Sequence, residues 1–123
     1  MLAFTNTNVI DGTGSAPIAG STVLVGGKKI AAVGKDVPVP AGATVIDLKG
    51  KTLMPGLIDC HSHLGGREHP PGLDGAKISF NYAPMRDYAL AGGVTTIRSC
   101  GDFLHDTIAT RDMINEGTLR GPG

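Results

Sequence analysis

No apolar run in this chain approaches the roughly 20 residues needed to span a bilayer. The N-terminus, Met1-Leu2-Ala3-Phe4-Thr5-Asn6, lacks the basic and apolar stretches of a secretion signal. Charge of one sign is missing too: 11 Lys and Arg residues balance 11 Asp and Glu. Without a basic excess or cluster, the electrostatic footprint of a nucleic-acid or membrane-surface binder is absent. Cysteine is scarce. Cys60 and Cys100 stand at a spacing that fits no zinc or redox motif. Each ends or follows an expected strand, so both read as reduced packing residues, and a cytoplasmic protein is the expectation.

What is present is ordinary for a globular chain, with 41% hydrophobic and 18% charged residues. At 123 residues, size alone favours one modest core. The organisation is less uniform than that. Residues 1–54 read as five short β segments: Phe4–Ile10, Ser21–Val25, Lys29–Val33, Thr44–Leu48 and Lys51–Met54. Asp11-Gly12-Thr13-Gly14, Gly26-Gly27-Lys28 and the Pro38, Pro40, Gly42 cluster separate them, the second as a hairpin turn. An antiparallel sheet or half-sandwich is expected. After Pro55 the pattern changes. Leu57–Cys60 reads as a short buried strand, followed by a Gly- and Pro-rich loop from Gly65 to Gly72. A helix is expected from about Phe80 to Ala91, stopped by Gly92-Gly93, then a β-branched strand Val94–Ser99 and a second helix Leu104–Glu116 ending at Gly117. Strand–helix–strand–helix is the unit of a parallel α/β sheet or barrel. Two such units cannot close a barrel of eight strands, so the chain reads as the N-terminal portion of a longer protein.

The most informative feature is His61-Ser62-His63, which closes the run Leu53-Met54-Pro55-Gly56-Leu57-Ile58-Asp59-Cys60. Side chains alternate along a strand, so two histidines two residues apart share a face. Two neutral imidazoles converging at a strand's C-terminal end form half of a divalent-metal site. A bare His-x-His says little. Its place at the end of the first strand of a βα series says more, because barrel active sites form at those ends. Asp59 falls on the same face and fits two roles equally: orienting a metal-bound imidazole, or capping nearby backbone donors. Arg98 ends the next strand. It could meet a substrate carboxylate bidentately or pair with Asp102 or Glu68, and the structural pairing is the favoured reading. His69, in the Pro-rich loop, and His105, at a helix start, read as surface residues.

Five ordered segments carry a resemblance: Asn8–Gly12, Lys29–Gly34, Val45–Lys51, Leu53–Leu64 and Ala91–Arg98. Together they resemble the opening of the metal-dependent amidohydrolase superfamily, nearest its imidazolonepropionase-like and Xaa-Pro dipeptidase-like members. The resemblance implies an α/β fold: a small β-sandwich domain, to which residues 1–54 would contribute, preceding a (β/α)8 TIM barrel. Residues 55–123 would be the barrel's first two βα units. It also implies one or two divalent metals, usually zinc, with His61 and His63 as the first ligand pair. The remaining ligands and the general-base aspartate would lie beyond Gly123, leaving no catalytic residue within this chain. The implied activity is hydrolysis of a C–N amide or peptide-type bond by a metal-activated water. Cyclic amides, or Xaa-Pro or acyl-amino-acid compounds, are the implied small-molecule or dipeptide-like substrates. Homo-oligomerisation is a family-level expectation. A deaminase of the same superfamily and a non-catalytic binding domain are the alternatives, and the isolated chain is expected to be inactive.

Overall fold

Turn chemistry and β-branched runs fold the first part of the chain into a sheet. The computed structural model describes residues 1–63, 66–68 and 79–123, with the side chains of 66–68 and 79–85 outside the description. It divides into two units, Met1–Pro55 and Gly56–Gly123. The first holds β1 (Leu2–Val9), β2 (Ile18–Gly26), β3 (Lys29–Gly34), β4 (Thr44–Asp47) and β5 (Thr52–Leu53). Strand order is β3-β2-β1-β4, with β5 also beside β1.

All five expected strands are present, but the sheet is mixed. The β1–β2 and β2–β3 pairs are antiparallel, whereas β4 and β5 run parallel to β1. The segment after β3 explains the departure from an all-antiparallel sheet. It carries the chain back to the start of β1, where the Thr44 N–H donates to the Met1 carbonyl at 3.0 Å. The β2–β3 hairpin turns on Gly27, whose φ of 59° suits the left-handed first position of a two-residue turn. Ala3, Val9, Val23 and Leu24 are buried. So are two hydroxyls, both satisfied: Thr7 Oγ1 donates to the Lys51 carbonyl at 2.8 Å, and Ser21 Oγ to the Ile18 carbonyl at 2.9 Å.

The second unit holds β6 (Leu57–Ser62), β7 (Gly66–Glu68), β8 (Ser79–Asn81), α1 (Tyr82–Ala91), β9 (Val94–Ser99) and α2 (Leu104–Glu116). The β6–β9 pair is parallel and β7–β8 antiparallel. The expected strand–helix–strand–helix order is therefore observed, with one correction. Gly66–Glu68, expected within a loop, pairs with Ser79–Asn81, and that pairing takes Phe80 from the helix, so α1 starts at Tyr82. Helix ends follow glycine. Gly117 closes α2 at φ 78°, and the N–H groups of Gly117 and Thr118 reach the Ile114 and Met113 carbonyls.

Two backbone details bind this unit together. A Cβ on Gly56 would lie 2.0 Å from Thr95 Oγ1 and 2.7 Å from Thr95 Cβ, so the Pro-Gly step ahead of β6 admits only glycine against β9. Beyond α2, the Gly123 N–H donates to the Thr95 carbonyl and the Ile97 N–H to the Gly123 carbonyl, both at 2.8 Å. That is the bond pattern of a parallel neighbour joining β9. The strand Leu57–Cys60, expected to be buried, is not: Leu57 is 48% and Ile58 66% exposed. Its one described strand partner is β9, and no described layer covers its apolar side chains. Among the described residues, no helix is long and apolar enough to cross a membrane.

Candidate metal centre

His61 is the penultimate residue of β6, and His63 follows the strand directly. Between the pairs Asp59–Ile97 and Ser62–Ser99 the register slips, three residues of β6 advancing against two of β9. Such a bulge re-aims side chains at a strand end. The Asp59 carboxylate accepts the His61 backbone N–H at 3.0 Å, so it braces the bulged backbone. The two imidazoles stand edge to face, centroids 5.6 Å apart at 65°, and both residues are exposed. Zinc bound at about 2.0–2.1 Å from an imidazole nitrogen can reach both rings at that separation, so the pair fits as half a site. Among the described residues, no third His, Cys, Asp or Glu joins it.

The end of β9 meets the end of β6 here. The Cys100 N–H donates to the Ser62 carbonyl at 2.9 Å, and Gly101, at φ 96°, turns the chain. Asp102 then places Oδ1 3.9 Å from His63 Nδ1, while the Ser99 hydroxyl donates to Oδ2. From the sequence, Asp102 offers itself only as a partner for Arg98; the structure sets it beside His63. No residue spacing signals that pairing, which depends on two parallel strands ending side by side.

Arg98 is exposed and takes part in neither described charge contact, His63–Asp102 or Arg111–Asp112; the side chain of Glu68, its other expected partner, lies outside the described residues. Cys60 and Cys100 are free thiols. Cys60 is exposed, against the packing expectation, since no layer among the described residues covers β6. His105 is exposed on α2, as expected of a surface residue. His69 and the Pro70-Pro71-Gly72 stretch lie outside the described residues.

No family model matches the chain. An allantoinase of Streptomyces avermitilis is 37% identical over 98 residues, covering 78% of this chain and 20% of that protein. Among solved structures, molinate hydrolase aligns with 98% of this chain and 28% of its own, at a TM-score of 0.79 and 28% identity. A Xaa-Pro dipeptidase with methionine in its active site aligns with 98% of this chain and 31% of its own, at 0.73 and 27%. These relatives and structural neighbours are members of the amidohydrolase superfamily. The mixed α/β architecture of this chain is that of these amidohydrolase neighbours, and the chain spans less than a third of the length of each of the three.

Proposed function

We propose that the chain contributes the first metal-ligand pair of a metal-dependent amidohydrolase acting on C–N bonds of cyclic amides or of Xaa-Pro and acyl-amino-acid compounds. In this reading residues 1–54 are part of a β-sandwich, and residues 55–123 are the first two βα units of a (β/α)8 barrel. One observation carries it: β6 and β9 run parallel, α1 lies between them in sequence, and His61 and His63 stand together where β6 ends. Barrel active sites are built at that end of the strands.

A bound divalent ion, zinc being the expected one, would supply Lewis acidity and a water activated at neutral pH. The residues of this chain hold and orient. His61 and His63 are neutral ligands, so the charge of the ion they bind stays available to a carbonyl. Asp59 fixes the backbone under His61. Arg98, exposed near the end of β9, would be a group for a substrate carboxylate.

The test uses the product of the intact gene, loaded with Zn²⁺ and offered dihydroorotate, allantoin and an Xaa-Pro dipeptide. Hydrolysis of one of them, lost in His61→Ala, supports the reading. Zinc-independent turnover, or full turnover by His61→Ala, removes it. The 123-residue chain alone is expected to be inactive.

A further inference from the structure

We propose that Asp102 is the positioning residue for His63, holding the imidazole as its Nδ1–H tautomer so that Nε2 is the nitrogen presented outward. That Nε2 then meets a metal rests on the reading above; the tautomer does not.

The placement begins in the backbone. The Cys100 N–H on the Ser62 carbonyl continues the β6–β9 ladder to the residue before His63. Gly101 then adopts φ 96°, which side-chain-bearing residues rarely tolerate. A Cβ there would already lie 3.6 Å from the His63 ring carbon Cε1. The chain thus passes close to the imidazole and delivers Asp102 to it.

Burial makes the carboxylate's partners matter. The Asp102 side chain is 6% exposed, that of His63 56%, and a charge so withdrawn from water needs compensating hydrogen bonds. Ser99 supplies one, at Oδ2. Oδ1 is the oxygen nearer His63, 3.9 Å from Nδ1. At that distance the pair is an electrostatic contact, longer than a hydrogen bond. An ionised carboxylate only accepts, so the ring nitrogen facing it is the one that carries hydrogen. The lone pair is left on Nε2, the arrangement in which carboxylates orient metal-binding histidines. Asp59 was the sequence's candidate for this work, but its described bond goes to the His61 backbone. Each histidine therefore has its own carboxylate, one acting on main chain and one on the ring.

A purely structural role would have Asp102 merely lead into α2, two residues ahead of Leu104. Nitrogen-15 spectra of the imidazoles, recorded with the rings in their neutral form, separate the two roles in the 123-residue chain. His63 is assigned by its loss in His63→Gln. The expected result is an Nδ1–H tautomer for His63, reverting toward Nε2–H in Asp102→Ala and partly so in Ser99→Ala. Zn²⁺ affinity should also fall about 10- to 100-fold in Asp102→Ala. A wild-type His63 found as Nε2–H overturns the proposal, whatever the Asp102 variant does. So does Asp102→Ala with an unchanged tautomer and intact α2 amide signals. If the tautomer is as expected but Zn²⁺ leaves His63 unmoved, the positioning role stands and the metal reading falls.

Discussion

In Met1–Pro55, Ala3, Val9, Val23 and Leu24 are buried on strands that each have at least one neighbour, and the hydroxyls enclosed with them are satisfied. In Gly56–Gly123 the buried residues among those described are Thr110 and Pro122, while Leu57, Ile58, Phe103 and Leu104 stand open. Yet the second unit carries the histidine pair. A five-stranded sheet makes a small core from its own strand faces. A two-stranded parallel sheet must instead rely on backbone fit and hydrogen bonds, and leaves its strand ends accessible to chemistry. The contrast is between burial and exactness of backbone approach.

The largest effect that could break this contrast comes from removing core volume. Leu24→Ala should cost about 2–5 kcal/mol, whereas Ile58→Ala, at a position 66% exposed, should change stability by less than about 0.5 kcal/mol. Urea unfolding of both variants measures it, and equal losses would erase the distinction. Next is the tight spot of the second unit. Gly56→Ala drives a methyl group into Thr95 and should cost about 1–3 kcal/mol. Amide exchange should show the loss confined to β6 and β9, with Met1–Pro55 unaffected.

The smallest effect is electrostatic and belongs to the first unit. The Lys49 backbone N–H, and then the Asn6 side-chain amide, hold the Asp47 carboxyl below its ordinary value of 3.8. A depressed folded value means that its contribution is fully present above the unfolded value and is lost as pH falls through the folded one. Stability should therefore decline below about pH 4, less steeply in Asp47→Asn, as acid titration of the unfolding midpoint would show.

Strand and helix positions were legible where local chemistry decides them. Gly27 marks its hairpin, Gly92-Gly93 and Gly117 mark helix ends, and the β-branched Val94–Ser99 marks β9. Direction of pairing was not legible, because whether β4 runs with or against β1 depends on where the Pro38–Gly42 segment carries the chain. Burial of Leu57–Cys60 was misjudged for a related reason: an apolar run reports what a strand can bury, not whether a layer lies over it. At the candidate site, the shared face of His61 and His63 follows from strand alternation. The approach of Asp102 to His63 depends on a bulge and a left-handed glycine, which no periodicity encodes.

Zn²⁺ titration of the chain, followed at the His61 and His63 imidazole signals, tests the candidate metal centre most directly. Both rings should move together, saturate with one ion, and lose the response in His61→Ala. Zinc that moves neither ring, or moves only one of them, or settles instead at His105 or Cys60, would contradict it.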